Sequence, residues 1–282
     1  AQGGVYDIPA IAVDIRGALT NTVPVDAYRG AGKPEANYII ERAIEAAARA
    51  LGRDPADLRR QNLIAAFPHR TAMGMAIDSG GFADNLETAI RRADTAGFET
   101  RRKASREKGL LRGLGVGCFL ETSRGAPNEG AEVCFEGDGT VTIAVGTESN
   151  GQGHETAFAQ IAAQHLGLPI ATFRYVQADT RAVRSGAGHG GARSMHMGGA
   201  ALVKAMDAAL AKARQLAAHL LQATTDELDY REGCFTVRGS DRAIDLATLA
   251  QSAGDPTNLP DGMTPGNGLG EHVLNITDVF TF

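Results

Sequence analysis

Residues 131–166 read AEVCFEGDGTVTIAVGTESNGQGHETAFAQIAAQHL, and the reading of this stretch decides the fold. Two runs, 131–136 and 140–146, are rich in β-branched and apolar residues and read as strands, with Asp138-Gly139 as the hairpin turn between them. The pattern then changes. Ser149-Asn150-Gly151-Gln152-Gly153-His154-Glu155-Thr156 is a glycine cluster, and Thr156–Leu166 follows at helical spacing, with a short apolar face at Phe158, Ile161 and Ala162. A hairpin that passes into a helix through a glycine loop predicts helices packed on a sheet.

Working outward toward the C-terminus, 171–177 reads as a strand and Met197–Leu221 as a long helix rich in Ala and Leu. Residues 229–238 read as a hairpin around Gly233, and Leu246–Ala253 as a short helix after Asp245. The stretch 254–270 is rich in Gly and Pro and reads as a loop. Toward the N-terminus, 10–18 and 111–121 read as strands. Pro34 opens a helix whose apolar face is Ile40, Ile44, Ala47, Ala48 and Leu51, with Gly52 as its stop. Residues 54–64 form a second helix, with Asp54 as N-cap and Pro55 at the first helical position. Residues 83–106 read as an exposed helix. Strands and helices alternate without strict βαβ regularity. The expected fold is therefore α+β, with two-layer mixed sheets and packed helices, in two units spanning 1–108 and 109–282.

Composition narrows the function. The 282 residues are 43% hydrophobic and 22% charged, as in an ordinary globular chain. The net charge of −5 offers no cationic surplus for phosphate backbones, so nucleic acid is not an expected partner. No apolar run reaches the roughly 18 residues of a spanning helix, so no membrane partner is expected either. The three cysteines, Cys118, Cys134 and Cys234, are far apart and form no CxxC pair, which argues against a disulfide framework, a zinc site or a cluster. A reducing, cytoplasmic compartment is expected. Glycine is in excess, 35 residues or about 12% of the chain against a usual ~7%.

The glycines are clustered at three junctions. Asp26-Ala27-Tyr28-Arg29-Gly30-Ala31-Gly32-Lys33-Pro34-Glu35-Ala36 sits at a helix start, where free N–H groups suit an anion or oxo group. Pro34 after Lys33 excludes a P-loop, and the plain reading is a glycine turn before a proline-initiated helix. In the second cluster the flanking glycines leave the Gln152 amide able to present a donor and an acceptor to a planar heterocycle; the plain alternative is a turn with an incidental Gln. The third, Ser185-Gly186-Ala187-Gly188-His189-Gly190-Gly191-Ala192-Arg193-Ser194, precedes the long helix. There small residues expose N–H groups, and Arg193 and Ser194 are candidates for a phosphate. As a dinucleotide fingerprint it is weak. His189 and His196 lack a third ligand nearby, so no metal site is expected. Three such junctions point to one extended ligand with a phosphate and a polar ring system, held mainly by backbone.

In this order, the segments Thr20-Asn21-Thr22-Val23-Pro24 with DAYRGAGKPEA, ERAIEAAARALGRDPADLRRQNLI, GTESNGQGHETAFAQIAAQHLG and SGAGHGGARSMHMGGAA resemble the molybdenum-binding large subunit of the xanthine dehydrogenase, aldehyde oxidase and carbon monoxide dehydrogenase family. The resemblance implies a molybdopterin, in its cytosine dinucleotide or a related form, that carries molybdenum. It implies hydroxylation of an aldehyde or N-heterocycle C–H with oxygen from water. It also implies partner subunits carrying iron–sulfur clusters and FAD. By resemblance, the backbone at Arg29 approaches the metal. Ala31 takes the place of an aromatic that stacks on substrate. Asn150, Gly151 and Gln152 match the pterin-binding loop. Gly191 matches a position near the metal, and Ala192, Arg193 and Ser194 match the adjoining cofactor-binding turn. A copper-binding cysteine is missing from the first loop.

Family large subunits are much longer. An earlier glycine-rich loop and the C-terminal glutamate that serves as general base have no match here, so no catalytic residue is assigned. Gly268-Leu269-Gly270-Glu271 imitates that glutamate's motif, but the residues after it resemble a segment well before the catalytic end. Glu121 and Glu148 are expected to be structural. The chain is therefore expected to be an internal piece of the large subunit, partnered by the rest of that subunit and inactive by itself. The alternative is a non-catalytic scaffold that has kept the fold.

Overall fold

The computed structural model describes residues 2–121, 128–183 and 185–263, and the backbone of 275–278. The chain divides into two units, Ala1–Thr122 and Ser123–Phe282. Residues 109–121, assigned above to the second unit, therefore belong with the first.

The first unit is built on helix α1, Lys33–Leu51, and helix α2, Pro55–Asn62. Gly52 ends α1 in the left-handed conformation, at φ 61°, which glycine adopts without a Cβ penalty. The Asp54 side chain caps α2 by accepting from the Ala56 and Asp57 N–H groups. A two-stranded hairpin follows, β1 (His69–Arg70) with β2 (Ala76–Ile77). The exposed helix expected over 83–106 is two helices, α3 (Phe82–Arg92) and α4 (Phe98–Arg106). They are separated by a turn in which Asp94 is left-handed at φ 45° and its carboxylate accepts the Gly97 N–H.

Val5, Tyr6, Leu63 and Leu86 form the small core of this unit, with Ile40, Ile44, Val116, Cys118 and Leu120 packed on it. Beneath lies a charged cluster. Arg59 is fully buried and pairs with Glu41 at 2.8 Å, while the Tyr6 hydroxyl donates to the other Glu41 oxygen at 2.6 Å. Burial and the Glu41 carboxylate together push the Tyr6 phenol far above its usual range. The strands expected at 10–18 and 111–121 do not form among the described residues. A strand needs a hydrogen-bonding neighbour, and neither segment has one here. Val13 and Ile15 lie exposed, whereas Val116, Cys118 and Leu120 keep the predicted alternation and turn inward without a ladder. Leu51, expected on the buried face of α1, is exposed.

The second unit contains a four-stranded sheet made of β3 (Glu129–Phe135), β4 (Val141–Val145), β5 (Phe173–Val176) and β9 (Asn275–Asp278). The strands lie in the order β5-β4-β3-β9, and only the β4–β5 pair is parallel. The β3–β4 register sets Ala131 opposite Val145, Val133 opposite Ile143 and Phe135 opposite Val141, and all six are buried. Alternation thus gives the sheet one continuous apolar face. Helix α5 (His154–Leu166) and helix α6 (Gly199–Leu220) pack on it and on each other. Ala201, Ala205, Ala209 and Ala213 recur every fourth residue of α6 and are fully buried, so small side chains bring the helix close to the sheet. The long helix opens two residues later than expected, because Ser194–Gly198 is a π-helical turn.

A second, antiparallel sheet holds β6 (Leu228–Arg231), β7 (Cys234–Val237) and β8 (Ala243–Asp245) in that order. Helix α7 (Leu246–Ser252) follows, capped by Asp245, whose carboxylate accepts the Thr248 N–H. Phe235, Val237, Leu246 and Leu249 close the same core. No helix among the described residues is long and apolar enough to cross a membrane.

Candidate functional site

Two of the three glycine clusters come together in the second unit. The first leaves the end of β4 and enters α5; the second precedes the π-helical turn that opens α6. Two glycines lock them backbone to backbone. A Cβ on Gly146 would lie 2.3 Å from the Gly186 Cα, and one on Gly186 would lie 2.2 Å from the Gly146 carbonyl oxygen. Side chains tie the loops further along. The Thr147 and Ser194 hydroxyls are 2.6 Å apart, and Asn150 Nδ2 is 3.2 Å from His189 Nε2. Gly198 lets the start of α6 approach closely, since a Cβ there would stand 3.0 Å from Thr147 and Val145.

Within the 149–153 loop, Gln152 is turned inward. Its Oε1 accepts the Asn150 N–H at 2.6 Å and the Ser149 hydroxyl at 3.2 Å. The Ser149 N–H in turn donates to Gln177 Oε1 at 2.7 Å, beyond the end of β5. The expectation that Gln152 offers both donor and acceptor is corrected on this point: its carbonyl oxygen shapes the loop, which leaves the amide nitrogen as the outward group. Gly151 and Gly153 take positive φ, 116° and 77°, and a Cβ on either would meet nothing within 4 Å, so the loop's backbone faces open space.

Arg193 also differs from expectation. Its side chain is fully buried. Its guanidinium pairs with Glu129 at 2.6 Å, also donates to the Gly188 carbonyl at 2.8 Å, and makes a further hydrogen bond to the Asn128 carbonyl. The guanidinium is therefore not available to a phosphate. Burial pushes the Glu129 carboxyl above its usual range, against the pull of the Gly130 N–H, the Arg193 charge and the Ala187 N–H. Ser194 is bound to Thr147, and Gly191 and Ala192 stand exposed at φ 91° and 59°.

Missed by sequence reasoning is His154, 2% exposed at the first position of α5, with a buried Nδ1 that has no hydrogen-bond partner. Burial, then the neighbouring His189, hold its pKa below the usual histidine range, so the ring is neutral. The available signal was its place directly after the glycine cluster, at a helix start. His189 faces Glu148 at 3.9 Å, so Glu148 has a local partner.

Arg29 and Ala31 belong to the first unit. Both are exposed, on a turn closed by the Ala31 N–H to the Tyr28 carbonyl at 2.7 Å. Gly30 and Gly32 there take φ 94° and 78°, and Gly32 opens α1 with no side-chain cap. Lys33 is ion-paired with Glu121. Glu271 lies outside the described residues. No group of three or more metal-ligating side chains occurs among the described residues, and all three cysteines are free thiols.

Comparison with known proteins gives the same direction as the glycine loops. Residues 88–266 match a molybdopterin cofactor-binding domain family, and residues 1–63 match a second family of the same description. The carbon monoxide dehydrogenase large chain of Hydrogenophaga pseudoflava is 32% identical over 93% of this chain and 35% of its own length. The nicotine 6-hydroxylase large subunit of Paenarthrobacter nicotinovorans is 30% identical over 93% of this chain and 34% of its own. Among solved structures, quinoline 2-oxidoreductase from Pseudomonas putida 86 superposes with a TM-score of 0.79 at 29% identity, covering 94% of this chain and 36% of that one. The chain thus spans about a third of the length of these relatives. With one family match covering more than half of its residues, the chain belongs to the molybdopterin cofactor-binding domain family.

Proposed function

We propose that this chain supplies part of the molybdopterin-binding shell of a molybdenum hydroxylase large subunit. The observation that carries this is the pairing of two glycine loops at the starts of α5 and α6, with their backbone open to a ligand. The residues fit such a group. A Cβ on Gly151, Gly153, Gly188 or Gly190 would meet nothing within 4 Å, and His154 Nδ1 is buried without a partner. A polar heterocycle with an attached phosphate offers hydrogen bonds to groups of this kind.

In this reading Asn150, Gly151 and the Gln152 amide face the pterin. Gly191, Ala192 and Ser194 contribute to the adjoining turn, and Arg193 contributes through its backbone. Neutral His154 contributes a hydrogen bond at Nδ1. For the first unit, the resemblance assigns the Arg29 backbone to the metal end of the cofactor and Ala31 to a substrate wall open to small aldehydes or heterocycles. When bound, the cofactor supplies the two-electron chemistry that hydroxylates a C–H with oxygen from water. The cytosine dinucleotide form, partner subunits carrying iron–sulfur clusters and FAD, and a cytoplasmic location belong to the same proposal. So does dependence on the remaining parts of the large subunit for turnover, with the two units serving two successive cofactor-binding domains.

The test is elemental and pterin analysis. The 282-residue chain alone is compared with the protein purified together with the products of its flanking genes. The proposal expects about one molybdenum and one pterin per large chain in the complex, and hydroxylation only there. If neither sample is loaded in a host that loads a control hydroxylase, the proposal fails and a scaffold role takes its place. Hydroxylase activity in the isolated chain refutes the dependence on the rest of the subunit.

A further inference from the structure

The proposed cofactor contacts on the 185–193 loop are backbone groups, and backbone groups serve a ligand only if their peptide planes are already turned the right way. One buried carboxylate is bonded into this loop. Glu129, the first residue of β3, is 1% exposed and sits under the loop. It receives the Ala187 N–H and pairs with Arg193 at 2.6 Å. The same Arg193 nitrogen donates to the Gly188 carbonyl at 2.8 Å, so the arginine bridges the carboxylate to the Gly188–His189 peptide of the loop. Because a peptide is planar and trans, the His189 N–H points opposite to the Gly188 carbonyl, away from the buried pair. Gly188 itself is at φ 71° with open space where a Cβ would be.

The pair carries opposite charges in full burial. The second Arg193 nitrogen donates to the Asn128 carbonyl, so the planar fork spans the β3 start and the loop. The clearance is set by Gly146, where a Cβ would lie 2.3 Å from Glu129 Oε1. Both charged groups are buried and already bonded to one another and to the loop, so neither acts on a ligand directly. A buried ion pair adds little to net stability compared with apolar packing, and conformational specificity is its better-attested use.

Resting on the cofactor reading above, we infer that Glu129 is a positioning residue: through Arg193 it presets the Ala187–His189 peptides so that the loop presents its N–H groups to the molybdopterin before the cofactor arrives. Glu129→Gln keeps the shape and an acceptor for the Ala187 N–H but removes the negative charge that Arg193 pairs with at 2.6 Å. Val133→Ala, on the same strand with its side chain in the apolar core, is the control for general destabilisation.

Two measurements decide the matter: amide hydrogen exchange of 185–193 in this chain, and pterin content of the complete large subunit by fluorescence after oxidation. Glu129→Gln is expected to speed exchange in the loop at least tenfold, leave the β6–β8 sheet unchanged, and lower pterin content at least tenfold. Val133→Ala is expected to retain wild-type pterin, whatever its melting temperature. Unchanged loop exchange in Glu129→Gln overturns the inference. Equal pterin loss in Val133→Ala also overturns it, because the effect is then one of stability. Should Glu129→Gln fail to fold, Arg193→Lys provides the same contrast, since a single ammonium cannot hold Glu129, Gly188 and Asn128 together; wild-type exchange and pterin in that variant overturn the inference. Wild-type protein without pterin refutes the cofactor reading and the ligand named here, while exchange still reports separately on the loop.

Discussion

Gly146→Ala is the sharpest test of how the two loops are held. The added methyl would lie 2.3 Å from each of Glu129 Oε1, the Gly186 Cα and the Ser185 carbonyl oxygen. Ordinary contacts with carbon are about 3.5 Å, so three neighbours each have to retreat by about 1 Å. Two of them are backbone atoms of a loop held by a buried ion pair, and the third belongs to that pair. Overpacking of a well-filled site costs about 1–3 kcal/mol. Separating Glu129 from Arg193 adds a part of the about 3–5 kcal/mol that an uncompensated buried charge costs. A total of about 4 kcal/mol is therefore expected, and a unit of this size loses about 2–4 °C of Tm per kcal/mol, or roughly 12 °C in all. Gly190→Ala is the internal reference: Gly190 is not at positive φ and its Cβ would meet nothing within 4 Å, so about 0.5 kcal/mol or less is expected. Thermal and urea unfolding followed by circular dichroism measure both. A Gly146→Ala protein that melts within about 2 °C of wild type, on the order of the shift set by 1 kcal/mol, refutes the packing argument. So does a Gly190→Ala protein that melts as low as Gly146→Ala.

Arg59→Ala leaves Glu41 buried without its counter-charge, and a loss of about 3–5 kcal/mol in urea unfolding of the first unit is expected. Tyr6→Phe removes only the hydroxyl that donates to the same carboxylate, so about 1–3 kcal/mol is expected; equal losses in the two variants would show that the Arg59 charge matters no more to Glu41 than the hydroxyl does. Asp54→Ala removes the acceptor of the Ala56 and Asp57 N–H groups and is expected to cost about 1 kcal/mol, with hydrogen exchange rising in α2 before α1; uniform exchange across both helices contradicts this. His154 has a folded pKa below its ordinary 6.5, so between those values the unfolded chain binds the extra proton. Its contribution is therefore fully present above about pH 6.5 and is lost as the pH falls. Urea midpoints from about pH 8 to 5 are expected to fall more steeply in wild type than in His154→Gln, and parallel slopes refute the assignment.

Elements whose cause is local were legible in the sequence. The Asp138-Gly139 turn, the Asp54 cap, the Gly52 stop and the alternation of β3 and β4 each follow from a few neighbouring residues, and the structure shows each of them. Elements that depend on a distant partner were not legible. Residues 10–18 and 111–121 have the composition of strands, but a ladder needs a second chain segment, which a local pattern does not reveal. The break at Asp94 was hidden because a charged stretch at helical period looks continuous unless the one left-handed residue is known.

The candidate site divides along the same line. Its glycines were legible as clusters at helix starts, and two of those clusters meet backbone to backbone at Gly146 and Gly186. The roles of its side chains were not, because they are set by which groups become buried against one another. Arg193 next to a glycine loop reads as a phosphate ligand, yet Glu129, 64 residues earlier in the chain, removes it from solvent and uses it to shape the loop. Gln152 is likewise drawn inward by the Asn150 N–H. Both residues stay at the site, but each now acts on the backbone first. In a site held mainly by backbone, the polar side chains nearest the glycines are the ones needed to fix peptide orientation, since unpaired N–H and carbonyl groups in a closed loop cost free energy. Substituting Arg193 or Gln152 should therefore disorder the loop before it weakens any single ligand contact, and loop exchange measured without ligand separates the two effects.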